Sequence, residues 1–316
     1  MTVYFWIGFL ILVFILLALD LGVFHKKDEA MSTKSALLWT GFWIALSLLF
    51  NVFIYFAYEY HWLGIGLHMG HNVGGHDAAI KYLTGYVIEK SLSLDNIFVI
   101  AMIFAYFRVP DIYQHRVLFW GILGALLMRG LMIAAGAALI QRFDWMIYVF
   151  GGVLILTAIK MLFSKDDEVH PDDNPLVKLA RKLYPITGSY EGHKFFTIAN
   201  GKRAITPLFL VLLVIESTDV IFAVDSIPAI FAITTDPYIV FTSNVFAILG
   251  LRSLYFALAA MMNKFRYLKV SIVVVLIYVG VKMLLTEVIH IPTLASLGVI
   301  LLILTVGIIA SIKRVE

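Results

Sequence analysis

Six carboxylates, Asp20, Glu89, Asp95, Glu216, Asp219 and Asp225, fall inside stretches otherwise dominated by Leu, Ile, Val, Ala and Phe. In hydrocarbon a charged side chain costs about 3 kcal/mol on an insertion scale, so six unpaired charges would cost roughly 18 kcal/mol. That exceeds the ~5–15 kcal/mol net stability of a typical folded domain. The acids must therefore be neutralised by protons, by basic side chains or by a bound cation. Basic candidates inside the same stretches are Lys90, Arg129, Lys160, Arg252 and Lys282. Lys160 and Lys282 stand close enough to helix ends to extend their ammonium groups toward water.

Spacing restricts which acids can meet. Glu216 and Asp219 are three apart and share a helical face, with Cβ atoms about 5–6 Å apart. Glu89 and Asp95, like Asp219 and Asp225, are six apart, about 240° round an ideal helix. Those pairs converge only where the helix is interrupted. Pro228, which lacks an N–H, and Ser91 and Ser93, which can bond to backbone, are the expected places of interruption. Carboxylates together with Asn96, the hydroxyls of Ser91, Ser93, Ser217 and Ser226, and freed carbonyls would form a hard-oxygen site. Such a site suits Mg, Ca or Mn rather than Zn or Cu. Asn51 and Asn244 are either further ligands or hydrogen bonds between helices. The competing reading makes the acids structural ion pairs with Arg129 and Arg252, or members of a proton relay.

The elements that must position these groups are transmembrane helices. The sequence is 61% hydrophobic and only 14% charged, with a mean hydropathy of +0.93, well beyond a soluble domain. A span needs roughly 20 mostly apolar residues, and on that criterion about nine occur, near residues 3–24, 37–58, 80–107, 117–139, 144–163, 205–232, 240–261, 268–287 and 292–312. The fold class is thus all-α and polytopic, a single membrane domain over 1–316. It divides into two leading helices and an outer loop (3–79), a first unit (80–163), a cytoplasmic loop (164–204), a second unit (205–287) and a last helix (288–316). The run Val3 to Val23 has no basic residue ahead of it and is read as a retained helix rather than a cleaved signal. Lys and Arg gather in alternate connections, which places the N-terminus outside and the C-terminus in the cytoplasm.

Three local likenesses recur in order. Ser93-Leu94-Asp95-Asn96-Ile97-Phe98 is similar to Ser217-Thr218-Asp219-Val220-Ile221-Phe222. Ile122-Leu123-Gly124 with Arg129 is similar to Ile248-Leu249-Gly250 with Arg252, and Lys160-Met161-Leu162 to Lys282-Met283-Leu284. Units of three helices must be inverted relative to one another, an arrangement typical of transporters that bind cargo near the midplane.

Other features set limits. Cysteine is absent, so disulfides, thiolate metal sites and Cys nucleophiles are excluded. A net charge of +3, with the basic residues in short loops, gives no support for a nucleic-acid partner. Neither His-Glu-x-x-His, nor Gly-x-Gly-Asp, nor a Walker loop occurs, so no enzyme or ATP-driven pump is expected. His61, His68, His71 and His76 sit among glycines in the outer loop. They read as a solvated loop, with metal handling or pH sensing as the alternative. Within the cytoplasmic loop, Leu176 to Tyr184 is expected to form a short amphipathic helix at the membrane surface, in a segment read as a linker.

Two segments carry a resemblance. Glu89-Lys90-Ser91-Leu92-Ser93-Leu94-Asp95-Asn96-Ile97-Phe98-Val99 and the run Glu216 to Ile230 closely resemble the signature segments of the TerC/Alx family of integral membrane proteins. The likeness extends through Phe231 to Pro237, Thr242 to Arg252 and Leu46 to Asn51. It implies export of manganese from the cytoplasm across a bacterial-type plasma membrane, and a LysE-like pair of inverted repeats. It also places the family's intramembrane acids on Asp20, Glu89, Asp95, Glu216, Asp219 and Asp225. Asp95 and Asp225 are the expected direct ligands, Glu89, Glu216 and Asp219 ligands or proton carriers, and Asp20 an outer contributor. Manganese is then cargo, and no prosthetic group is expected. The expected partners are the divalent ion and the bilayer, with homo-oligomers or other membrane partners left open. Remaining alternatives are a calcium or other divalent exchanger, or a non-transporting partner or sensor in metal or tellurite stress.

Overall fold

Helix starts are written locally. Ser32 caps a helix by accepting from the Ser35 amide, and Asp236 accepts from Tyr238 and Ile239 just ahead of a helix opened by Pro237. Asn174 does the same for Leu176 and Val177, as expected of side chains that satisfy orphan N–H groups. The computed structural model describes residues 3–22, 32–67, 73–163, 174–199, 201–259, 268–289 and 291–313. Its helices are α1 (Val3–Gly22), α2 (Thr33–Glu59), α3 (Gly75–Phe107), α4 (Asp111–Arg142), α5 (Met146–Phe163), α6 (Pro175–Leu183), α7 (Pro207–Phe231), α8 (Pro237–Leu249), α9 (Leu251–Ala259), α10 (Leu268–Leu284) and α11 (Thr293–Lys313). A small antiparallel hairpin, β1 (Phe196–Ala199) and β2 (Lys202–Ile205), follows α6.

Among the described residues six helices, α1, α2, α4, α5, α7 and α11, are long and apolar enough to cross a membrane. The pair α8 and α9, bent by 41°, makes a seventh if counted as one span. The protein is therefore an all-α, multi-pass membrane protein. α3, with Glu89, Lys90 and Asp95 in its middle, and α10, 17 residues long, lie outside that set. Burial is inverted relative to a soluble domain: Glu89, Arg129 and Asn244 are buried, while Leu38, Leu131, Leu156 and Leu302 face outward. Lipid removes the penalty for the second group and imposes one on the first.

Two expectations fail here. α3 and α7 run unbroken through Ser91, Ser93 and Pro228. Pro228 leaves the Val224 carbonyl without its helical N–H yet α7 continues through it to Phe231, and the Ser91 hydroxyl donates back to the Val87 carbonyl at 2.6 Å without opening the helix. The break falls instead between α8 and α9, inside the stretch 240–261 expected to be one straight span. There Lys90 Nζ donates to the Ala247 carbonyl at 3.1 Å, serving an end of α8 that no longer finds helical donors. Gly250 makes room for this, because a Cβ at that position would lie 2.9 Å from Lys90 Nζ and 3.0 Å from Trp43 Cβ.

α3 is the hub, packed against α2, α7, α8 and α11, while α4 lies along α7 and α5 along α10. Phe9, Phe50, Tyr238 and Phe246 wedge α1, α2 and α8 together through tilted and edge-on ring contacts. In the loop after α2, His61 adopts a left-handed conformation and its Nδ1 lies 3.1 Å from the Ile65 carbonyl. His76 opens α3, and His68 and His71 lie outside the described residues.

The α5–α10 contact is a close backbone approach that glycines permit. A Cβ at Gly280 would stand 2.8 Å from Ile155 Cγ1 and 3.0 Å from the Gly151 carbonyl. Gly280→Leu should lower stability by about 1–3 kcal/mol through overpacking, read as a lower thermal midpoint in detergent. Gly152→Ala, inside α5 where nothing lies within 4 Å, should instead raise the midpoint, by the ~0.5–1 kcal/mol that a mid-helix glycine costs relative to alanine.

Candidate functional site

The six-residue offsets sort the acids. On an unbroken helix Asp219 and Asp225 must face different neighbours: Asp219 turns toward Arg129 of α4 and Asp225 toward Thr157 of α5. α3 divides its acids the same way, Glu89 joining Asp219 at Arg129 and Asp95 joining Asp225 along one cavity. Two mixed pairs replace the single cage expected from helix interruption. Among the described residues no group of three or more His, Asp or Glu side chains has a metal-holding arrangement.

The first pair is a clasp. Arg129 donates through Nε to Asp219 Oδ2 at 3.2 Å and through Nη2 to Asp219 Oδ1 at 2.8 Å, the two-pronged geometry a guanidinium favours. Its Nη1 donates to Glu89 Oε1 and, at 3.2 Å, to Ser226 Oγ. Asn244 Nδ2 donates to Glu89 Oε2 at 3.0 Å, so both Glu89 oxygens are satisfied. The Glu89 side chain is fully enclosed, Arg129 is 2% exposed and Asp219 17%. Beside the clasp lies a chamber of about 30 Å³, lined in part by Ser93, Asn96, Arg129, Thr218, Asp219 and Phe222, room for about one water.

The second pair is roomier. A cavity of about 230 Å³ is lined by Asp95, Asn96, Thr157, Lys160, Thr218 and Asp225 against an apolar wall that includes Leu92 and Phe222. Thr157 Oγ1 donates to Asp225 Oδ1 at 2.6 Å. The cavity presents two carboxylates, an amide, two hydroxyls and an ammonium, in space enough for several waters. Asn96, Thr218 and Phe222 line both chambers and form the partition between them.

The remaining candidates separate. Asp20 is bound to Arg252, whose Nη2 lies 2.6 Å from Oδ1 and 3.3 Å from the Asp20 carbonyl, apart from both pairs. Glu216 is half-buried against α4; a Cβ at Gly124 would come within 1.9 Å of Glu216 Oε1. Ser217 accepts from Asn174 Nδ2 at 2.6 Å. Lys90, expected as a partner for the acids, turns away from them to α8. Asn51 lines neither chamber, and its Oδ1 is buried without a hydrogen bond. Lys282 donates to Ser296 Oγ at 2.9 Å. Sequence reasoning missed Thr157 and Thr218; the signal for Thr157 was its place three residues before Lys160 on one face of α5.

Removing one partner of a buried ion pair leaves an uncompensated charge, so Arg129→Ala should cost about 3–5 kcal/mol. Arg129→Lys should recover little, because an ammonium cannot span two carboxylates and a hydroxyl in one plane. Adding Glu89→Gln to Arg129→Ala should restore part of the loss. Chemical unfolding of the purified variants measures all three.

The comparisons agree with a membrane protein of this kind. The profile of the integral membrane protein TerC family matches residues 74–316. The membrane protein STKORF319 of Myxococcus xanthus is 48% identical over 309 residues, 98% of this chain and 92% of its own length. The Alx proteins of Salmonella typhi and Escherichia coli (strain K12), for which a membrane-bound redox-modulating role is proposed, are each 46% identical. They are aligned over 96% and 93% of this chain and 92% and 90% of their own lengths, respectively. No solved structure matches the chain. By the extent of these matches and by its acid-bearing helices, the chain belongs to the TerC family of integral membrane proteins.

Proposed function

We propose that this protein exports divalent manganese from the cytoplasm by proton-coupled alternating access, with Asp95 and Asp225 as the carboxylate ligands. The observation that carries this reading is the cavity in which those two side chains are brought together from α3 and α7 beside Asn96, Thr157 and Thr218. Two carboxylates and a few neutral oxygens, completed by retained waters, are what a small hard dication accepts. Lys160 in the same cavity supplies positive charge while no cation is bound. A carboxylate pair emptied in low-dielectric surroundings is neutralised most simply by protons, which makes proton exchange the coupling. Glu89 and Asp219, held by Arg129, and Asp20, held by Arg252, serve the framework in this conformation. Glu216 is a further acidic station on the same helix as Asp225.

Several features support the finer architecture. Counting α3, α10 and the bent α8–α9 pair as crossings gives nine, and an odd number agrees with an outer N-terminus and a cytoplasmic C-terminus. Two inverted units are favoured by crossed packing, since α3 lies against α8 while α4 lies against α7. Moreover, the glycines of the two Ile-Leu-Gly motifs, Gly124 and Gly250, each receive a charged side chain from the other unit, Glu216 and Lys90. The bacterial relatives favour an inner membrane. The redox role proposed for the Alx relatives cannot run through thiols in this chain, which has no cysteine; supply of a metal is a route that needs none. The ion is cargo, and the reading requires neither enzymatic activity nor a prosthetic group.

The test is metal flux into proteoliposomes holding the purified protein alone, comparing Mn, Ca, Mg and Zn with and without an imposed proton gradient. Mn flux should respond to the gradient, and Asp95→Asn and Asp225→Asn should each lower it by about an order of magnitude or more. Flux unchanged in both variants would refute the site, a preference for Ca would favour the exchanger alternative, and no flux of any metal would favour a non-transporting sensor.

A further inference from the structure

We propose that Lys160 is a tethered counter-ion of the Asp95–Asp225 cavity, which a cation must expel in order to bind and which thereby admits dications and turns monovalent ions away; this rests on the cation site put forward above. Five basic side chains stand in the helices that carry or face the stranded acids, and four of them are engaged. Arg129 and Arg252 are paired with carboxylates, Lys90 donates to the Ala247 carbonyl and Lys282 to Ser296 Oγ. Of the five, only Lys160 makes neither a hydrogen bond nor an ion pair among the described residues. Yet it borders the cavity that Asp95 and Asp225 share.

Its place on α5 gives this lysine two positions. Lys160 is the one charged residue of α5 and lies in the last turn, one turn beyond Thr157 on the same face. Thr157 Oγ1 holds Asp225 Oδ1 at 2.6 Å, so the lysine stem starts about 4.5 Å further along the helix than the residue that touches the carboxylate. The side chain is exposed, and a flexible four-carbon stem lets the ammonium swing. Turned inward, it is the counter-charge of the cavity. Turned outward, it follows the exposed end of α5 at Leu162 and Phe163 toward water. Two carboxylates and one ammonium leave a single negative charge uncancelled. A monovalent ion that displaces the ammonium restores only the charge it removes, and it competes with a group kept at high effective concentration by a short tether. A dication brings twice the charge to the same carboxylates, in surroundings that strengthen Coulomb attraction relative to water. It wins the exchange, and its field drives the ammonium out. When the ion leaves, the lysine returns and opposes recapture.

Mn binding to the purified full-length protein in detergent, read from the EPR signal of the free ion, tests this without any transport step. Lys160→Met should bind Mn about ten-fold or more tightly than the native chain. Potassium chloride should weaken that binding more than N-methylglucamine chloride of equal ionic strength does. The native chain and Lys160→Arg, which keeps the charge, should respond equally to the two salts. Asp225→Asn added to Lys160→Met should abolish the gain in affinity. Equal Mn affinity in the native chain and Lys160→Met, with binding still dependent on Asp225, would overturn the counter-ion role and leave the cation site standing. A tighter Lys160→Met with no added sensitivity to potassium would overturn the selection against monovalent ions. Binding indifferent to Asp225→Asn, or no binding by either chain, would overturn the site itself and the role of Lys160 with it.

Discussion

Charge held away from water must be answered locally, and Arg129 is where this protein meets that constraint. One guanidinium from α4 takes Glu89 from α3 and Asp219 and Ser226 from α7, while Asn244 of α8 closes the remaining oxygen of Glu89. Four helices are thereby fixed in rotation about their own axes. Because α3 and α7 are unbroken, fixing Glu89 and Asp219 also fixes where residues six further along each helix must point. Asp95 and Asp225, six residues on from the clasped acids, both border the larger cavity.

This arrangement divides the acids by duty. Those of the clasp and of the Asp20–Arg252 pair are locked to guanidinium groups that stay charged in any protein environment. Asp225 is answered by a hydroxyl, with the Lys160 ammonium at the same cavity. A hydroxyl yields to a cation at far lower cost than a guanidinium does. The division thus explains how one membrane core holds both permanent and exchangeable negative charge.

Much of this was legible in the sequence. Hydropathy marks the helices that qualify as spans, and of the basic residues that charge alone offers as partners, Lys90, Arg129 and Arg252, the two arginines pair with the acids. The offset of six was read correctly, but its consequence was assigned to helix interruption, whereas continuous helices satisfy it by giving each acid a different neighbour. Pro228 misled because a proline removes one i→i−4 hydrogen bond without having to end the helix, and α7 runs on to Phe231. The bend after Leu249 contains no proline and arises from contacts with Lys90 and Trp43, which come from distant sequence. Thr157 was hard to read for a similar reason: its spacing from Lys160 marks one face of α5, but that face gains meaning only from Asp225 opposite.

The unequal helix lengths bear on how the protein sits in lipid. α3 and α4, at 33 and 32 residues, rise about 50 Å and 48 Å, while α5 and α10, at 18 and 17, rise about 27 Å and 26 Å. A hydrocarbon core of about 30 Å is thus much thinner than α3 and α4 are long. The excess of α4 is taken up by tilt or overhang. Among the helices that qualify as spans, α4 exceeds the hydrocarbon core most, and since it carries Arg129, its tilt sets where the guanidinium meets the carboxylates of α3 and α7.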